Sequence, residues 1–125
     1  MSPTTSAPSI VPCGMPPLAL ETTVDGEVAV VVLGGDLDMS GAGALEAEVE
    51  RLRAADGLQA VVLDLRALEF LDSSGLRAIL KVDRDSRDGG ARLVLVRGAE
   101  PVHRVFELTR MEERLTFVSD PGAVG

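Results

Sequence analysis

A chain of 125 residues is one domain's worth and long enough to bury a single core. Its 46% hydrophobic and 26% charged content excludes wholesale disorder, and its formal charge of −8 argues against binding nucleic acid or docking on anionic lipid. With three Phe as its aromatics, a single Cys13 and a single His103, the chain lacks base-stacking platforms, an internal disulfide and a familiar structural zinc site.

Met1–Pro17 is rich in Ser, Thr and Pro, without a basic stretch leading into an apolar block, and reads as a flexible tail instead of a secretion signal. No apolar run approaches the roughly 20 residues a bilayer span requires. The expected location is therefore the cytoplasm, and residues 18–120 are expected to form the folded domain, with 121–125 a flexible end.

Leu18–Thr23 predicts a first strand, and Asp25-Gly26 a hairpin turn into a second strand, Val28–Leu33. Gly34-Gly35 punctuates. Asp38 or Ser40 then caps a helix with Ala42, Leu45, Val49 and Leu52 inward and Glu46, Glu48, Glu50, Arg51 and Arg53 on a solvated face, ending at Asp56-Gly57. Val61–Leu65 predicts a buried strand, followed by a loop and a helix from Ser73 to about Ser86 with Leu76, Ile79 and Leu80 on one face. Asp88-Gly89-Gly90 breaks it. Ala91–Val96 gives a strand, and Pro101 suits the first turn of a helix with Val102, Val105, Phe106 and Leu108 inward. Leu115–Val118 is a short last strand. The order β-β-α-β-α-β-α-β predicts an α/β domain, its mostly parallel mixed sheet edged by the antiparallel hairpin and flanked by helices.

Two short motifs follow strands in this order. Gly35-Asp36-Leu37-Asp38 comes after the second strand, and Asp72-Ser73-Ser74-Gly75-Leu76 lies between a strand pattern and a helix pattern. A short oxygen side chain at such a junction can simply cap the helix, so Asp72, Ser73 and Asp38 are all cap candidates. Asp36 reads equally as a solvated loop acid. The strands bearing these motifs should be neighbours, so Asp36, Asp38 and Asp72 should share the sheet end where parallel α/β folds place binding groups.

The two motifs and the order of elements, from about Leu18 to Val118, resemble the STAS family, the sulfate-transporter and anti-sigma-factor-antagonist domain, and in particular its small free-standing bacterial antagonists. The resemblance implies that the hydroxyl after the motif Asp, here Ser73, accepts phosphate from an anti-sigma factor that is itself an ATP-bound serine kinase. The unphosphorylated form would hold that kinase and free the sigma factor, and a serine phosphatase would reset the switch. It implies a partner surface centred on Asp36, Asp38, Asp72, Ser73, Ser74, Gly75 and Leu76. The family usually ends in a further helix, which Asp120-Pro121-Gly122 makes improbable here.

Other chemistries fit poorly. Asp72-Ser73-Ser74-Gly75 is not a Gly-x-Ser-x-Gly elbow, and a hydrolase triad would rest on the lone His103. No Gly-Lys-Ser/Thr phosphate loop exists, so any ATP belongs to the partner. Asp36, Asp38 and Asp72 could invite Mg²⁺, yet solvent-facing acids are usually unmetallated, and no metal or cofactor is expected. Phe106 and Met111 read as core. The expected protein is a binding module, not an enzyme, and a monomer when free. The alternatives are a STAS subunit of a membrane transport assembly or a component of a stress-signalling scaffold.

Overall fold

Strand and helix patterns alternate after the Asp25-Gly26 turn, and each returning strand lands beside the last. The computed structural model describes residues 18–54, 57–87 and 90–123. The sequence expectations for Met1–Pro17, Cys13, Asp56, Asp88, Gly89 and the last two residues lie outside them. Strand β1 (Ala19–Asp25) pairs antiparallel with β2 (Val28–Leu37), the turn being made by Gly26 at φ +64°. Helix α1 (Met39–Arg53), β3 (Ala60–Leu71), α2 (Ser73–Arg87), β4 (Arg92–Val96), α3 (Glu100–Leu108) and β5 (Phe117–Val118) follow. The sheet order is β1-β2-β3-β4-β5, parallel from β2 onward.

Because successive parallel strands step the same way across the sheet, right-handed crossovers put the connecting helices on one face. The side chains agree. Ala29, Val31 and Leu33 of β2, Val61, Leu63 and Leu65 of β3, and Leu93 and Leu95 of β4 share one core with Leu45, Val49, Ile79, Val82, Val102 and Phe106 of the helices. The opposite face carries a smaller cluster of Val62, Val94 and Val96, packed by Val28, Val30 and Val118. No helical residue among those described contributes to it. The same topology brings the starts of α1, α2 and α3 to the end of the sheet where β2, β3 and β4 finish.

Several boundaries differ from the sequence expectation. Gly34-Gly35 does not end β2. The strand continues to Leu37 through register shifts against β3, with Gly35 at φ +80° making the irregularity that only glycine adopts cheaply. Strand β3 likewise continues to Leu71, so the loop expected before α2 shrinks to Asp72 alone. Leu108, expected inward, is 77% exposed, because α3 ends there and its buried stripe is Val102, His103 and Phe106. Glu48, expected on a solvated face, is half-buried and accepts from Thr22 of β1 as well as from Arg51. The C-terminal Pro121–Ala123 forms one 3-10 turn.

Candidate functional site

The extended pairing of β2 with β3 builds the site. Leu37 lies opposite Leu71, and the Asp72 N–H donates back to the Leu37 carbonyl at 3.4 Å, so Asp38 and Asp72 leave neighbouring strand ends side by side. Each caps the helix that follows. The Asp38 Oδ1 accepts from the Ser40 backbone N–H at 3.0 Å and the Ser40 hydroxyl at 2.7 Å. The hydroxyl bond above all, with help from backbone N–H groups, holds the Asp38 carboxyl below its ordinary range. The Asp72 Oδ1 accepts from the Gly75 N–H at 2.9 Å, closing the first turn of α2.

That capping settles which side chains remain available. Of the cap candidates, Asp38 and Asp72 serve as caps, whereas Ser73 is the first helical residue and exposed, with Ser74 half-buried beside it. Asp36 is not a solvated loop acid. It is a strand residue opposite Phe70, 4% exposed, and its Oδ2 has no hydrogen-bond partner. Leu76 and Gly75 are buried as well. A Cβ on Gly75 would stand 2.3 Å from the Leu37 carbonyl oxygen and 2.8 Å from Leu71 Cδ1, so the first turn of α2 rests directly on the ends of β2 and β3. Asp36, Gly75 and Leu76 therefore shape this end from beneath, while Asp38, Asp72, Ser73 and Ser74 reach its surface.

Two apolar neighbours escaped the sequence reading. Met39, the first residue of α1, is 75% exposed, and Phe70, three residues before Ser73, is 38% exposed. Their signal was present: Met39 interrupts the polar run Asp38–Gly41, and Phe70 alternates outward beside the inward Leu71. Exposed Met and Phe flanking a polar site are common anchors of protein interfaces.

Asp36, Asp38 and Asp72 are not among the side chains that converge as cation ligands. Among the described residues the convergent group is His103, Glu107 and Glu112, on α3 and the 3-10 turn Met111–Glu113 after it. His103 is 2% exposed, its Nε2 lies 3.1 Å from Glu112 Oε2, and its buried Nδ1 has no partner. A proton on Nε2 satisfies that pair. A metal there would drive the proton to Nδ1, where no acceptor waits, so the group fits a hydrogen-bonded histidine better than a ligand set.

Residues 19–122 match the STAS domain family, and the chain belongs to it. Among its relatives is BtrV of Bordetella bronchiseptica, whose name assigns it provisionally to the anti-sigma factor antagonists. It is 35% identical over 69% of this chain and 72% of its own length. An anti-sigma factor antagonist from Mycobacterium paratuberculosis superposes with a TM-score of 0.72 at 26% identity, covering 82% of this chain and 86% of that one. The fold is also that of SpoIIAA, an anti-sigma factor antagonist solved in unphosphorylated and phosphorylated forms. These match at TM-scores of 0.69 and 0.63 with 22% and 21% identity, each over 86% of this chain and over 92% and 96% of theirs.

Proposed function

We propose that this chain is an anti-sigma-factor antagonist switched by phosphorylation of Ser73, acting in the cytoplasm as a monomeric binding module, not an enzyme, with residues 18–120 as its folded unit. Unphosphorylated, it holds an anti-sigma factor that is also a serine kinase, which frees the sigma factor; phosphorylated, it lets go, and a serine phosphatase resets it. The observation that carries this reading is the exposure of Ser73 at the first position of α2, beside an Asp72 already committed to the cap and a Ser74 turned partly inward. Family membership and the names of the relatives support it. The contact surface is Asp38, Asp72, Ser73 and Ser74 rimmed by Met39 and Phe70, with Asp36, Gly75 and Leu76 setting its shape.

The physics of the switch is local. A phosphate adds about −1.5 to −2 charges near neutral pH. An acidic partner group roughly 8 Å away would then be repelled by about 1–4 kcal/mol at effective dielectric constants of about 80 to 20. Since each ~1.4 kcal/mol is a factor of about ten, one or two such groups turn tight binding into weak binding without refolding the domain.

The test is phosphosite mapping on protein from its own cells with phosphatases blocked and fragmentation that separates Ser73 from Ser74, alongside identification of co-purifying proteins. A phosphate on Ser73 and an ATP-binding anti-sigma factor among the partners are expected. Ser73→Ala should bind without being phosphorylated, and Ser73→Asp should bind at least tenfold more weakly. An unmodified Ser73 under varied growth conditions, or co-purification with a membrane permease instead, would overturn the reading.

A further inference from the structure

Phosphate on Ser73 would meet an acidic neighbourhood. Asp72 precedes it, and Asp38 leaves the adjacent strand end, with Asp36 buried beneath. The cap takes one of the helix-start donors that could offset that charge, because the Asp72 carboxylate already occupies the Gly75 N–H. A basic side chain on the same helix is placed to do so. Arg77 lies four residues after Ser73, which puts the two side chains on the same helical face one turn apart. Its side chain is exposed and, among the described residues, makes no hydrogen bond or ion pair. The next cation along α2, Lys81, is held by Asp85 at 3.0 Å and Glu46 at 4.0 Å, and Arg87 by Asp83 at 3.0 Å. Arg84, likewise without an ion pair among the described residues, lies too far along α2 to reach Ser73. Four residues before Arg77, where Arg87 has its Asp83, stands the Ser73 hydroxyl, and four residues after it stands Lys81 and no acid.

Resting on the reading of Ser73 as phosphoacceptor, we propose that Arg77 is the phosphate's intramolecular counter-ion, pairing with phosphoserine 73 across one turn of α2. Helix side chains lean toward the N-terminus, which brings the Arg77 guanidinium back over the first turn. The pair orients an acid at the helix start N-terminal to its base, the favourable order, and a guanidinium grips phosphate oxygens in its planar fork. The modified protein would hold its own phosphate along α2, so that the phosphorylated state is a defined surface and not merely an added charge.

The experiment uses full-length protein with phosphoserine encoded directly at position 73, which makes it independent of any cellular kinase. Phosphorus NMR follows the second ionisation of the phosphate in the otherwise unaltered chain, in Arg77→Gln and in Arg77→Lys. The proposal expects the ionisation to lie roughly 0.3–0.7 pH units lower with Arg77 than with Gln, as for an exposed charge-assisted pair, and Lys to restore part of the shift. It also expects the melting temperature to rise on phosphorylation with Arg77 and not with Gln. Superimposable titrations for Arg77 and Gln would overturn it. A Ser73 never phosphorylated in cells would sink the functional reading instead, a failure this titration cannot mimic.

Discussion

The sharpest constraint on a single residue is at Gly75. A methyl group there would press into the Leu37 carbonyl oxygen at 2.3 Å and into Leu37 Cγ and Leu71 Cδ1 at 2.8 Å. Backbone at the end of a paired strand cannot step aside cheaply. Gly75→Ala should therefore lower stability by about 1–3 kcal/mol in urea unfolding, the range for forcing a methyl into a packed site. Gly43, in the middle of α1 with nothing within 4 Å of its missing Cβ, supplies the contrast. Gly43→Ala should be neutral or stabilise by about 0.5–1 kcal/mol. Equal effects at the two positions would mean that α2 does not rest on the strand ends. The sequence showed Gly75 as part of a motif but not why it is glycine, because the atom it must avoid belongs to a strand nearly forty residues earlier. The burial of Asp36, against the solvated-loop reading, was illegible for a related reason: it comes from β2 continuing past Gly34-Gly35, which no local pattern announces.

At the scale of elements, the helix starts were the most legible feature and the strand ends the least. Asp38 before Met39 and Asp72 before Ser73 are cap signals that depend on neighbours a few residues away. How far a strand runs depends on what pairs with it, and β2 and β3 lengthen each other up to Leu37 and Leu71. The ends of these strands position both caps, so the cap and the proposed binding role of Asp38 fall on one side chain and must be separated by substitution. Asp38→Ala should cost about 1 kcal/mol in urea unfolding through loss of the cap, while Asp38→Asn keeps an acceptor for Ser40 and should stay within about 0.5 kcal/mol of the unaltered chain. With the fold so preserved, the affinity of Asp38→Asn for the anti-sigma factor reads the charge alone. The proposed surface expects a drop of several-fold by isothermal titration calorimetry; unchanged affinity would confine Asp38 to its cap.

For the whole molecule, the carboxylates behind the formal charge of −8 also bear on its response to acid. Among the described residues, three carboxylates are held below their ordinary ranges by partners that the fold supplies. In Asp38 the Ser40 hydroxyl is chiefly responsible, and in Glu48 the Arg51 guanidinium with Thr22. In Asp64 burial pushes upward, but the Arg66 guanidinium at 2.8 Å and the Arg66 backbone N–H outweigh it. Asp64 lies in register between Val32 and Val96, on the face without helices, so its pair with Arg66 is a polar island among valines. Depressed carboxylates bind fewer protons folded than unfolded, so their contribution is full above the ordinary values of 3.8 and 4.5 and is lost as pH falls through the lower folded ones. Melting temperature should therefore be nearly flat from pH 7 to about 5 with respect to these groups and fall progressively below about 4.5. Asp64→Asn should lower the melting temperature at pH 7, because Arg66 loses its carboxylate, and should make the acid limb shallower. An acid limb as steep as in the unaltered chain would show that the Asp64–Arg66 pair contributes nothing to the pH dependence, leaving Asp38 and Glu48 to account for it.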